Sequence, residues 1–261
     1  MSPSLSVSLT LGNHKFIGGG TDLPITDGLV LQLDAQDTAS IVQDVPGRVR
    51  QWTDKSGNGN HAVQNSAAVQ PIFNTSGLIN GHDTVQSTGT HWMNTLLRLS
   101  GVTTTGEMSY FVVFKAPSSF LSQRGLIGAF KTLGGTNAFQ ALHLSGLGQM
   151  SFGMGTTNDV LTVGESPVAN ANALTSFVAQ GPGVGPGTGY SVWMDGVNVI
   201  GALPYNFSVN NNFIGVLHRP IDGFPSSPYL GAMGEFVVYN RDLSGAERIT
   251  IQNFLNTKWG L

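Results

Sequence analysis

From residue 27 onward the chain is a succession of short apolar runs broken by turn residues, and few folds are compatible with that pattern. The clearest runs are Leu29–Leu33, Tyr110–Phe114, Leu126–Phe130, Phe177–Ala179, Tyr190–Met194, Phe213–Leu217 and Phe236–Tyr239, separated by Gly, Asn, Pro, Asp or Ser. Many short runs with turn clusters between them and little helical periodicity predict an all-β fold, a two-sheet antiparallel jelly-roll sandwich. At 261 residues the chain is long enough to bury one full core in a single large domain.

Two segments depart from the pattern. Residues 4–11 alternate strictly, with Leu5, Val7, Leu9 and Leu11 on one face and Ser4, Ser6, Ser8 and Thr10 on the other, which reads as a half-buried strand. Gly18, Gly19 and Gly20 follow as a hinge. Residues 1–26 are therefore expected to form an N-terminal arm, with 27–261 as the domain. The four apolar side chains of the arm are the candidate docking residues, because a lone strand needs a sheet to cover its face. An edge strand added to the domain's own sheet is the simpler alternative. The second segment is a helix at the end. Ser244-Gly-Ala-Glu247 has the form of a capping box, Ile251, Phe254, Leu255 and Lys258 share one face at helical spacing, and Gly260 stands at a stop position. The Lys258 stem is expected to lie along the apolar stripe, with Trp259 closing the end.

Composition narrows the function. Only 10% of residues are charged and the net charge is −3, with twelve scattered Lys and Arg residues. Binding to a phosphate backbone needs clustered cations, so no nucleic-acid partner is expected. No apolar run is long enough to span a bilayer, so no membrane insertion is expected. There is no Cys, which excludes disulfides, thiol catalysis and Cys-ligated zinc. Residues 1–16 lack a basic start and a continuous apolar block, and do not read as a secretory signal.

Several segments resemble the concanavalin A-like, laminin-G-like jelly-roll domains common in bacterial and bacteriophage proteins. Gly28-Leu-Val-Leu-Gln-Leu-Asp-Ala-Gln-Asp37 resembles the family's first core strand. Val49-Arg-Gln-Trp-Thr-Asp-Lys-Ser-Gly-Asn-Gly-Asn-His-Ala62 resembles its tryptophan strand and the following turn. Trp193-Met-Asp-Gly-Val197 resembles its late hairpin, Gly234 to Ser244 its final strand, and Ala246 to Leu261 its C-terminal helix. The resemblance covers about residues 27–261, strongest at the two ends. Many members carry an acidic loop where this chain has Ser87-Thr-Gly-Thr-His-Trp92, so any calcium or sugar site on that loop is expected to be lost. Elementary chemistry accounts for other matched residues without a ligand. Asp54 and Asn58 flank a tight turn, Gly57 and Gly59 supply positive φ, and Trp52, Trp193 and Tyr239 read as core aromatics.

Catalytic patterns are missing. Sandwich glucanases set carboxylates at i, i+2 and i+4 on one strand face; the fifteen acidic residues here include no pair two or four apart. His14, His61, His82, His91, His143 and His218 make no His-x-His or His-Glu-x-x-His pair, and no Gly-x-Ser-x-Gly elbow occurs. The chain is expected to be no enzyme. No cofactor is required; calcium is the one ion with ligands of the right kind, namely Asp34, Asp37, Asp54 and Asn58. Two readings follow. The first is a bacteriophage virion component, such as a capsid decoration protein, head fibre or tail-associated protein. It would dock by its arm on other virion proteins or on copies of itself as a homo-oligomer. The alternative is a carbohydrate-binding module of a bacterial extracellular or cell-surface protein, with a cell-surface glycan as partner.

Overall fold

The computed structural model describes residues 22–116, 124–130, 138–144, 150–155, 161–163, 171–181, 189–203, 213–221, 224–226 and 228–261. The strands are β1 (Leu29–Asp34), β2 (Ile41–Val45), β3 (Arg48–Trp52), β4 (Ala62–Val63), β5 (Ile72–Ile79), β6 (His82–Thr88), β7 (Met93–Arg98), β8 (Met108–Lys115), β9 (Arg124–Phe130) and β10 (Ala138–Leu144). They continue as β11 (Met150–Gly155), β12 (Leu161–Val163), β13 (Asn172–Ala179), β14 (Tyr190–Met194), β15 (Val197–Leu203), β16 (Phe213–Val216), β17 (Arg219–Ile221), β18 (Phe224–Ser226) and β19 (Leu230–Tyr239). A helical turn, α1 (Leu99–Val102), follows β7, and a helix, α2 (Gly245–Trp259), ends the chain. The fold is all-β and its strand pairs are antiparallel apart from short parallel contacts of β9, to β17 and at Gly125. From residue 27 onward the apolar runs named above lie on strands, save Leu217, which follows β16.

The pairings form two ladders. In one, β19 is flanked by β8 on one side and by β1 and β6 on the other, and β8 continues through β13, β14 and β15. The other runs β2, β3, β4, β7, β16, β9, β10, β11, β12. They are joined where Arg48 of β3 pairs with Ile72 of β5.

Burial explains why the runs are continuous rather than alternating. From Met108 to Phe114 every residue of β8 is buried, as is every residue from Ala232 to Tyr239 on β19. A strand reads this way when both of its faces are covered. Helix α2 packs against β8 and β13. Across the same strands Tyr110 stacks on Phe177 at 4.8 Å, and Phe177 on Tyr190 at 5.4 Å, within the usual range for aromatic pairs.

The capping box of α2 is formed as expected. The Glu247 amide donates to Ser244 Oγ, and the Ser244 amide donates to Glu247 Oε2 at 2.9 Å. Gly260 closes the helix in the left-handed region, φ 66°. Two type I′-like hairpin turns, Asn80-Gly81 and Asp195-Gly196, place both residues at positive φ. The first also helps end the helix, because Asn80 Nδ2 donates to the carbonyls of Trp259 and Gly260.

The start of the packed structure lies before residue 27. Leu23 is buried, Ile25 packs on the core and accepts a bond from Tyr239 Oη at 2.8 Å, and Asp22 is ion-paired. Residues 22–26 are therefore tied to the domain. Leu5, Val7, Leu9 and Leu11 lie outside the described residues.

Trp259 is fully buried, and Gly234 of β19 leaves room for it: a Cβ there would stand 2.6 Å from the indole. Phe254 is only partly buried. Trp259→Ala is expected to lower the unfolding free energy by about 3–5 kcal/mol and Phe254→Ala by less than about 3 kcal/mol, measured by urea denaturation. Equal losses for the two variants would contradict this placement.

Candidate functional site

Where the last turn of α2 passes β1, six charged side chains meet. Lys258 Nζ lies 3.1 Å from Asp22 Oδ2, 2.8 Å from Asp34 Oδ2 and 2.9 Å from Glu235 Oε2. Lys55 Nζ lies 2.9 Å from Asp34 Oδ2, 3.5 Å from Asp37 Oδ2 and 3.9 Å from Asp22 Oδ1. Glu235 is fully buried and also accepts from Trp259 Nε1 and Gln32 Nε2, both at 2.8 Å. The head of Lys258 is thus held inside the structure, with 13% of its side chain exposed. Three carboxylates in range of one ammonium repay its desolvation where one would not.

Charge balance sets the protonation. Four carboxylates face two ammonium groups, and an excess of negative charge in a low-dielectric site favours a proton on the most buried member. Burial, reinforced by neighbouring Asp34, pushes the Glu235 carboxyl up to about 7. Burial alone would lower Lys258, but Glu235, Asp34 and Asp22 outweigh it and hold the ammonium well above its ordinary range. Burial likewise opposes ionisation of Asp22, yet Lys258, Gln32 and Lys55 bring it below its ordinary value.

The cluster forms part of the wall of a cavity of about 560 Å³ lined by Asp22, Asp34, Gln36, Asp37, Thr38, Ala39, Lys55, Phe254, Thr257 and Lys258. That size falls in the range of roughly 300–1,000 Å³ typical of small-ligand pockets. Asp37 is the most exposed carboxylate of the group, at 21%, and Phe254 supplies a partly buried aromatic ring. The site thus combines an aromatic surface, a carboxylate, an amide and hydroxyls.

The four residues considered as calcium ligands are not brought into one shell. Asp34 and Asp37 converge on Lys55. Asp54 is engaged elsewhere: Oδ1 accepts from the amides of Gln32 and Ser56, and Oδ2 from the Ser56 hydroxyl and the Asn60 amide. Asn58 Nδ2 donates to the Leu29 carbonyl. Asp22, Asp34 and Glu235 do stand close enough to share a cation, but the Lys258 ammonium already contacts all three. Of the expected core aromatics, Trp52 and Tyr239 are fully buried, while Trp193 is partly buried with the Arg248 guanidinium 4.0 Å above its ring. His218 is fully buried, with Nε2 2.9 Å from Asn94 Oδ1.

Asp22, Lys55, Glu235 and Lys258 were not marked as site residues by the sequence, and no local spacing could have marked them. They stand far apart in the chain and meet only through the pairing of β1 with β19 and the docking of α2. No helix among the described residues is long and apolar enough to cross a membrane.

No protein-family model matches the sequence, and no curated protein matches it. Solved structures do share its fold. The sialidase of Trypanosoma rangeli in complex with sialic acid matches with a TM-score of 0.59 and 14% identity over 92% of this chain and 34% of that chain. Its complex with the inhibitor DANA gives 0.58 and 14% over 86% and 32%. Domain 4 of AbnA, a GH43 extracellular arabinanase from Geobacillus stearothermophilus, in complex with arabinotriose, gives 0.56 and 9% over 84% of this chain and 95% of that domain. The chain spans about a third of the sialidase's length and nearly all of the arabinanase domain. At these identities the likeness is one of fold.

Two outcomes are expected. Glu235 binds its proton more tightly folded than unfolded, so its stabilising contribution is complete below about 4.5 and is lost as pH rises through about 7. His218, pushed down to about 3 by burial, acts with the opposite sign in the same range. The readout is therefore the difference between wild type and Glu235→Gln. Relative to the variant, wild type should lose up to about 1.4 kcal/mol per pH unit between about pH 5 and 7; parallel pH profiles would refute the assignment. Adding calcium, or a chelator, should leave the melting temperature of the full chain unchanged, since Asp34 and Asp37 already face lysines.

Proposed function

We propose that the chain is a non-catalytic carbohydrate-binding domain, built as a two-sheet jelly roll, that takes its glycan in the cavity beside α2. The observation that carries this reading is the composition of that cavity. A partly exposed Phe254 ring offers a face for the C–H side of a sugar, while Asp37, Gln36, Thr38 and Thr257 offer hydroxyl-matching donors and acceptors. The fold supports it. The two ladders, joined only through Arg48 and Ile72 among the described residues, are compatible with a strand set folded over on itself, and the arabinanase domain that matches nearly end to end is named as holding arabinotriose.

Several features favour binding over turnover. Glu235 has no exposed surface, and Asp22 and Asp34 are tied to lysines. Most glycosidases use two carboxyl groups that reach the scissile bond from either side, and in this group only Asp37, at 21%, has more than slight exposure. The alternative role in a virion was suggested by the absence of Cys and of a signal-like start, the low charge, and the strand expected at residues 4–11, which lies outside the described residues; the fold likenesses lend it no support.

The test is titration of arabinotriose and other neutral oligosaccharides into the full chain by calorimetry. Binding is expected, with Phe254→Ala weakening it at least about tenfold, the effect of losing about 1.4 kcal/mol, and Phe254→Tyr retaining it. Melting curves of both variants control for folding. No hydrolysis of the same sugars is expected on prolonged incubation. Binding unaffected in Phe254→Ala would move the site elsewhere, and turnover abolished by Asp37→Asn would make the protein an enzyme.

A further inference from the structure

The charge around the cavity bears on which glycans it can take. We infer that the site selects uncharged glycans and rejects those bearing carboxylate or sulfate groups; this rests on the glycan-binding role proposed above.

The wall carries Asp22, Asp34 and Asp37, with Glu235 directly behind Lys258, against Lys55 and Lys258. Neither ammonium is available to a new anion. Lys258 is held by three carboxylates within 3.1 Å, and Lys55 sits 2.9 Å from Asp34 with Asp37 and Asp22 at 3.5 Å and 3.9 Å. Among the described residues no other cation lines the cavity. An incoming carboxylate would enter a net negative field with low-dielectric walls, where like charges repel more strongly than in water. To gain a partner it would have to pull a lysine from buried carboxylates and leave those uncompensated.

A neutral sugar meets no such obstacle. Its hydroxyls can donate to Asp37, whose one ion pair is its longer contact with Lys55 at 3.5 Å, and can exchange bonds with Gln36 and Thr38. The charge pattern thus points away from acidic sugars such as the sialic acid named in the sialidase complex, and the backbone likeness, being one of fold, says nothing about the ligand.

The experiment titrates the full chain, at low and at high salt, with two sets of probes: arabinotriose and cello- and malto-oligosaccharides, against sialyllactose and oligogalacturonate. Neutral sugars are expected to bind, and the acidic ones at least about tenfold more weakly at low salt, with the gap narrowing as salt screens the field. Asp37→Asn, which removes one charge and keeps the shape, should narrow the gap at low salt. Acidic sugars binding as well as neutral ones, or better, would overturn the selectivity and leave glycan binding standing. A preference for neutral sugars that Asp37→Asn leaves unchanged would overturn the assignment of that preference to this cavity. Binding of neither set would overturn the glycan-binding role, and the selectivity with it.

Discussion

One ammonium group, that of Lys258, connects the parts of the chain that must meet last. It touches Asp22 from the segment leading into β1, Asp34 from the end of β1, and Glu235 from β19. Its energetic contribution lies less in net attraction than in the penalty for any other arrangement. Desolvating the six charges cancels most of the Coulomb gain. The burial of Trp259 on the next residue contributes more, on the order of 4–6 kcal/mol as an upper bound for an aromatic of this size. The indole is held by the gap at Gly234 and by its bond to Glu235. A shifted helix would remove both the indole N–H and the ammonium from the Glu235 carboxyl, which has no exposed surface. Hydrophobic burial thus drives docking of α2, and the charge cluster specifies its position.

That docking in turn sets the character of the central strands. With α2 over β8 and β13, these two strands and β19 beside β8 are buried along nearly their whole length, and their sequences become largely apolar runs. The close approach has a local requirement at Gly234, where any side chain would strike the Trp259 ring. Glu235, one residue on, then receives the indole N–H. A small residue and a buried acid side by side on the last strand are two consequences of one helix lying close against it.

These dependencies explain what could be read in the sequence. Elements specified locally were legible: the apolar runs of β8, β13, β14 and β19, the Ser244–Glu247 capping box and the Asp195-Gly196 turn all carry their signal within a few residues. Strands β5, β6 and β7 were not. Phe73-Asn-Thr-Ser-Gly and Asp83-Thr-Val-Gln-Ser-Thr88 are rich in Ser, Thr, Asn and Gln, and become strands because β6 pairs with the first half of β19. The Asn80-Gly81 turn between β5 and β6 was the one local cue available there. The site was legible only in fragments. Asp34 and Asp37 stood out only as oxygen ligands of the kind calcium takes, whereas the fold sets Lys55 against both and Lys258 against Asp34. The apolar stripe of α2 was correct for the face that carries Ile251, Leu255 and Lys258, but helical periodicity assigns a face and cannot show that three carboxylates meet the Lys258 ammonium on it.

The same distinction separates fold from function here. A backbone likeness to a sialidase and to an arabinanase domain carries over strand order and pairing, which depend on apolar pattern and tolerate 9–14% identity. It does not carry over a binding site, which depends on individual charged groups. In this chain those groups are largely committed before any ligand arrives, since Lys258 and three of the four carboxylates are engaged in fixing α2 and Lys55 is paired with carboxylates of the same cluster. What remains to meet a ligand is the part of the wall that helix docking leaves over: the ring of Phe254 on one side, and Asp37, Gln36 and Thr38 just after β1 on the other. A site assembled from such residues inherits the excess negative charge of the cluster behind it. Its chemistry is therefore a consequence of how the chain secures its last helix, and removing the lock to alter the site would also release the helix that forms its wall.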